Sequence, residues 1–128
     1  MSTLAHVLEK HPSHIQDNLE MVRCLIHEIA KTDAQIGTLE ESLKWGQLSL
    51  ATLRPKSGTP IRLGCHKDQN SYSLFVSCST KLISEFRDIH PELFAYHGNR
   101  EIRIPINQTF PRDSLTLFIS AALKYYIK

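Results

Sequence analysis

The sequence predicts an α+β domain: an antiparallel sheet of about five strands, with the N- and C-terminal helices packed on it. Three observations carry this reading. Ile15, Leu19, Val22, Ile26 and Ile29 recur at helical spacing near the start of the chain. Between Gln47 and Cys78 the apolar period switches to two, the signature of strands. A second helical pattern, strongly apolar, closes the chain over residues 112–126.

The elements follow in order. Residues Thr3 to Lys10 suit a short helix, ended where Pro12 restricts His11. Ser13-His14-Ile15-Gln16 has the form of a capping box, which starts a helix running to about Ala30, with Lys31 at the negative end of its dipole. Thr38-Leu39-Glu40-Glu41 repeats the capping-box pattern and predicts a short helix through Lys44, with Gly46 placed to end it.

Gln47 to Arg54, Pro60 to His66 and Tyr72 to Cys78 read as three strands. The turn-forming links Pro55-Lys56-Ser57-Gly58 and Lys67-Asp68-Gln69-Asn70-Ser71 make antiparallel hairpins of them. Ser79 or Thr80 is placed to cap a helix that uses Leu82, Ile83, Phe86 and Ile89 and stops before Pro91. An extended piece, Phe94 to His97, meets the turn signal Gly98-Asn99, and a strand follows with Ile102, Ile104 and Ile106 on one face. The last helix turns Leu115, Phe118, Ile119, Ala122, Leu123 and Tyr126 to the core. Leu117, Ala121 and Tyr125 form a second apolar flank on it, which suits either a deeply packed helix or a homodimer contact.

Composition bounds the function classes. A chain of 128 residues reads as one domain, 1–128, with one core. Its net charge of +2, without a run of basic residues, argues against a nucleic-acid partner. No apolar stretch reaches the roughly 18–20 residues of a membrane-spanning helix, and Met1-Ser2-Thr3-Leu4-Ala5-His6 lacks the form of a secretory signal. Cys24, Cys65 and Cys78 are odd in number and none forms a C-x-x-C pair, so reduced thiols in a cytoplasmic protein are expected.

Four separated stretches resemble the YdhG-like family, a domain of unknown function. They are Leu39-Glu40-Glu41-Ser42-Leu43-Lys44-Trp45-Gly46, Ile61-Arg62-Leu63-Gly64, Tyr72-Ser73-Leu74-Phe75-Val76-Ser77-Cys78 and Phe94-Ala95-Tyr96-His97-Gly98-Asn99-Arg100. The similarity runs from about residue 14 to residue 126, in the order that family uses. It implies a bacterial cytoplasmic α+β domain, and, because some members are described as frataxin-like iron chaperones, iron as a possible cargo. Frataxin-type binding uses a dense acidic ridge, whereas the 13 carboxylates here are dispersed among 15 basic residues.

Two constellations carry chemistry. On the first long helix Glu20, Cys24 and Glu28 are successive i,i+4 neighbours opposite the apolar face, flanked by Asp17 and His27, and could share a metal ion. Among the basic residues Arg62, Arg100 and Arg103 are the candidates: Arg62 lies on the strand face opposite Ile61 and Leu63, and Arg100 follows the Gly-Asn turn. Their guanidinium forks suit a carboxylate or phosphate, and Trp45 and Tyr96 are placed to supply a flat wall beside them; the plain alternative is salt bridges to Glu41 or Glu101. His6, His11 and His14 cluster without fixed geometry. Cys78, at a strand end before a helix, is the thiol to check for reactivity. The chain carries no G-x-S-x-G elbow, Gly-rich phosphate loop or H-E-x-x-H. The expectation is a non-enzymatic module for a small anion or metal ion, or alternatively an interaction protein that pairs through its last helix.

Overall fold

The apolar stripe of the first long helix anchors the fold. In the computed structural model, which describes residues 12–36, 38–44, 47–53, 56–65, 70–77 and 79–127, α1 spans Ser13–Thr32 and buries Ile15, Leu19, Val22, Leu25, Ile26 and Ile29. Burying side chains of this kind contributes about 1.5–3 kcal/mol each, more than intrinsic helix propensity supplies. The helix start differs from the expected capping box. Pro12 occupies the N-cap and no side chain caps the helix; the Pro12 carbonyl accepts from the N–H groups of Ile15 and Gln16, at 2.9 and 2.8 Å. The expected helix over Thr3 to Lys10 lies outside the described residues.

The largest correction concerns Thr38 to Lys44. Instead of a short helix, Leu39–Lys44 forms strand β1, paired antiparallel with β2 (Gln47–Thr52) in the register Leu39↔Thr52, Glu41↔Leu50 and Leu43↔Leu48. Those pairs place Leu39 and Glu41 on the side that faces α1. Arg23 of α1 grips Glu41 with two hydrogen bonds, Nε at 2.6 Å and Nη2 at 2.9 Å, and His27 Nε2 lies 2.7 Å from the same carboxylate. Tertiary partners therefore override a local helical signal.

The remaining strands are β3 (Ile61–Cys65), β4 (Ser71–Phe75), β5 (Ala95–His97) and β6 (Glu101–Pro105). All pairings are antiparallel and the sheet order is β1-β2-β3-β4-β6-β5, so the added strand brings the count to six among the described residues. Between β4 and β5 runs α2 (Leu82–Ile89), which buries Leu82 and Ile83. Ser79 and Thr80 do not cap it: Lys81 holds the N-cap, and its backbone N–H donates to the Tyr125 hydroxyl at 2.7 Å. Ile89, expected on the apolar face, is 71% exposed. The last helix, α3, spans Arg112–Leu123 and buries Leu115, Phe118, Ile119, Ala122 and Leu123, while Tyr126 lies beyond its end and is exposed.

Strand alternation divides the sheet into two faces. Leu48, Leu50, Ile61, Leu63, Tyr72, Leu74, Ile102 and Ile104 join the buried residues of the three helices in one core. The opposite face carries Lys44, Gln47, Ser49, Arg62, Gly64, Ser73, Phe75, Glu101 and Arg103, related by the pairs Ser49↔Arg62, Arg62↔Phe75, Phe75↔Glu101, Gly64↔Ser73 and Ser73↔Arg103. An antiparallel sheet packed on one side only leaves its second side available.

One loop ties this sheet to α3. Ser57 Oγ donates to the Leu123 carbonyl at 2.8 Å, Thr59 N–H to the Ala122 carbonyl at 2.9 Å, and Tyr126 N–H to the Ser57 carbonyl at 2.9 Å. The loop thus satisfies carbonyls that a helix C-terminus leaves unpaired. Gly58 sits at the contact, where a Cβ would collide with the backbone of Ala122 and Leu123.

Candidate functional site

On the open face, Lys44, Ser49, Pro60, Arg62, Val76, Ser77 and Arg100 line a cavity of about 310 Å³. Each side chain arrives there for a local reason. Lys44 ends β1 and pairs with Gln47 across the β1–β2 connection. Ser49 and Arg62 are direct cross-strand partners on β2 and β3. Arg100 stands at the end of the turn whose Gly98 has φ 61°, and its carbonyl accepts from Val76 N–H at 2.8 Å, which ties that turn to the end of β4.

Arg62 is held from two sides. Its Nη1 donates to Gln47 Oε1 at 3.1 Å, and its guanidinium carbon lies 5.5 Å from the centre of the Phe75 ring. Gln47 can lie there because Gly64 has no side chain: a Cβ on Gly64 would stand 2.6 Å from Gln47 Nε2. Among the described residues this bracing uses one of the five guanidinium N–H groups, which leaves the others to face a ligand.

The electrostatics are one-sided. Lys44, Arg62 and Arg100 meet in a lining that contains no Asp or Glu among the described residues. Burial, and then the like charge of Arg100, hold Arg62 below its ordinary value; a guanidinium nonetheless keeps its charge in proteins. The carboxylates named in the salt-bridge alternative serve other cations. Glu41 accepts from Arg23 and His27 on the helix face, and Glu101 accepts from Ser73 Oγ at 2.7 Å and Arg103 Nε at 3.1 Å. The arrangement can therefore receive negative charge, with the half-buried Ser77 at its wall, apolar surface from Pro60, and the buried Ser49 and Val76 beneath.

Of the four residues expected to form a ligand site, the fold brings Arg62 and Arg100 together. Tyr96 is elsewhere: it pairs with Ile102 on the helix face, and its hydroxyl donates to the His90 carbonyl at 2.7 Å. Its parity on β5, opposite to that of Arg62 on β3, is the physical reason. Trp45 lies outside the described residues, as do Cys78, His66, His6 and His11. Sequence reasoning missed Lys44, Ser49 and Ser77; placing Lys44 on a helix hid the first.

Glu20, Cys24 and Glu28 do lie on the outward side of α1. Glu20 is bound to Arg23 at 2.8 Å, and Glu28 to Arg112 of α3 at 2.7 Å. Among the described residues, no three His, Cys, Asp or Glu side chains stand where they could hold one metal ion.

No protein-family model, curated protein or solved structure matches this chain. Its function has to be read from its own surface. None of its described helices is long and apolar enough to cross a membrane, and the basic pocket faces outward from the sheet.

Proposed function

We propose that the chain is a non-enzymatic binding module for a small anion, held in the pocket on the open face of the sheet. The observation that supports this reading is the convergence of Lys44, Arg62 and Arg100 on one cavity whose described lining has no carboxylate. Gathering like charges without an internal counter-ion costs free energy, and an anion removes that cost. Among its described residues the lining offers hydrogen-bond donors and no His, Cys, Asp or Glu. Cation–carboxylate or cation–phosphate bonds of the guanidinium kind supply the affinity. The test is a titration of the protein with inorganic phosphate at low ionic strength, followed by calorimetry. Saturable binding that Arg62→Ala abolishes supports the reading; identical binding curves for the two proteins refute it.

A second reading rests on a separate observation. Leu117 on α3 is 54% exposed and Tyr126 just past it 50% exposed, which suits a homodimer contact on the last helix. Sedimentation at high micromolar concentration tests it: a monomer unaffected by Leu117→Glu counts against the dimer. Affiliation with the YdhG-like family remains a proposal that rests on the four sequence stretches. The iron-carrier role found in that family gains no support from α1, because Glu20 and Glu28 are each engaged by an arginine.

A further inference from the structure

We infer that the anion is an organic dianion, its doubly charged head between Lys44, Arg62 and Arg100 and a short apolar body against Pro60. This rests on the anion-binding reading above and goes further by fixing charge and shape.

Charge comes first. Three cationic side chains border the cavity and no acidic residue of the described lining offsets them. A monoanion leaves two of the three charges without a counter-charge, whereas a dianion answers most of the excess. Because the cavity opens to solvent, the attraction acts through a high effective dielectric and is screened by salt, so the second charge is worth about tenfold in affinity at low ionic strength rather than many orders of magnitude. Arg62 is preset for such a head group. Gln47 and Phe75 brace it, and the entropy of ordering its side chain has been met in the fold rather than on binding.

Shape comes second. A cavity of about 310 Å³ is at the lower end of the range for small-molecule pockets, and is larger than a bare phosphate needs. Pro60, exposed, supplies apolar wall next to the charged groups, above a floor where Val76 is already packed into the core. Pro60 is also well fixed, because Thr59 before it is hydrogen-bonded to the Ala122 carbonyl at 2.9 Å. A ligand that is all charge leaves this wall wet, and one with a small ring or branched chain covers it. A phosphate monoester and a dicarboxylate share this chemistry, and their head groups differ in ways that a titration separates.

The experiment compares ligands of matched shape by calorimetry at low salt and mildly alkaline pH: phenyl phosphate against benzenesulfonate, and phthalate against benzoate. Either dianion binding about tenfold tighter than its monoanionic counterpart supports the inference, and the stronger of the two dianions assigns the head group. Phenyl phosphate should also bind more tightly than inorganic phosphate. Arg100→Gln, an exposed substitution in a turn, should bring each pair close to parity; Lys44→Gln provides the same readout from a different strand. Equal affinities within both pairs, with Arg62→Ala still abolishing them, overturn the dianion while leaving the anion pocket standing. Failure of all of these ligands, and of inorganic phosphate, to bind overturns both.

Discussion

Replacing Gly58 with alanine is expected to be the most damaging single-methyl addition among the described glycines. The added Cβ would lie inside van der Waals contact with the Ala122 carbonyl oxygen and with the Cα and carbonyl carbon of Leu123. All three are backbone atoms, so none can rotate aside, and either the loop or the end of α3 must shift. A shift breaks the bonds that join them: Ser57 Oγ to Leu123 O at 2.8 Å, Thr59 N to Ala122 O at 2.9 Å, and Tyr126 N to Ser57 O at 2.9 Å. At about 1 kcal/mol net for each bond and about 1–3 kcal/mol for overpacking, the loss is about 4–6 kcal/mol. A domain of this size is stable by about 5–15 kcal/mol, so Gly58→Ala should remove a large part of the total. Urea denaturation followed by circular dichroism measures it, with two internal controls. At Gly98, with φ 61° and nothing within 4 Å of a built Cβ, alanine should cost only about 1 kcal/mol through backbone strain. At Gly64 the nearest atom is the mobile end of Gln47, 2.6 Å away, and the amide can swing clear for less than about 1 kcal/mol. A Gly58→Ala midpoint no lower than that of Gly98→Ala would refute the reasoning about the loop and α3.

The other perturbations probe polar contacts. Burial pushes the Glu41 carboxyl up, but the Arg23 fork and His27 outweigh it and hold it below its ordinary value of 4.5; a depressed carboxylate stabilises the fold above its ordinary value, and that contribution is lost as pH falls through the folded one. Wild-type stability should therefore drop more steeply than that of Glu41→Gln as pH falls below about 4.5, and parallel pH profiles would count against the ion pair. Tyr72 is fully buried with its hydroxyl unpartnered among the described residues, and burial raises its pKa far above the usual phenol range; Tyr72→Phe should raise stability by about 1 kcal/mol, and a loss of that size in a thermal melt would show that the hydroxyl has a partner. Gln47→Ala frees Arg62 from its brace and should weaken phosphate binding about three- to tenfold with little change in the melting temperature, whereas Gln47→Glu, which can still accept from Arg62, should keep the brace; affinity unchanged in the alanine variant would dismiss Gln47 as a positioning residue.

Much of the fold was legible because its signals are periodic and local. The stripe from Ile15 to Ile29, the alternation in β3 and β4 and the buried face of α3 all survive in the structure. What failed were elements decided by distant partners. Leu39 to Lys44 combines good helix formers with a capping-box pattern, yet Glu41 interrupts what would otherwise be a visible alternation of Leu39 and Leu43. The side chains that make a carboxylate tolerable at that position, Arg23 and His27, come from a helix 18 and 14 residues earlier in the chain. The same error concealed Lys44 as a pocket residue. Arg62 was placed correctly from strand parity alone, and the same parity applied to β5 would have put Tyr96 on the other face; a three-residue strand offered too little alternation to read.

The pocket's position follows from how this sheet manages its two sides. The three helices cover the face where apolar residues alternate inward, and among the described residues of that face the carboxylate of Glu41, at the β1 edge, is answered by Arg23. The opposite face must then stay polar, and its small residues Ser49, Gly64 and Ser73 allow longer neighbours to lie flat over them. Gln47 does so across Gly64, while Arg62 lies against the ring of its cross-strand neighbour Phe75. Flattened side chains are ordered ones, which is why a guanidinium on an uncovered face can still be a fixed donor rather than a mobile surface charge. The turn carrying Arg100 is tied to β4 through Val76, and the segment carrying Pro60 is tied to α3 through Thr59. Both walls of the pocket are thereby linked to the hydrophobic core. A lesion such as Gly58→Ala should consequently reach the site as well as the fold, through the displacement of Pro60.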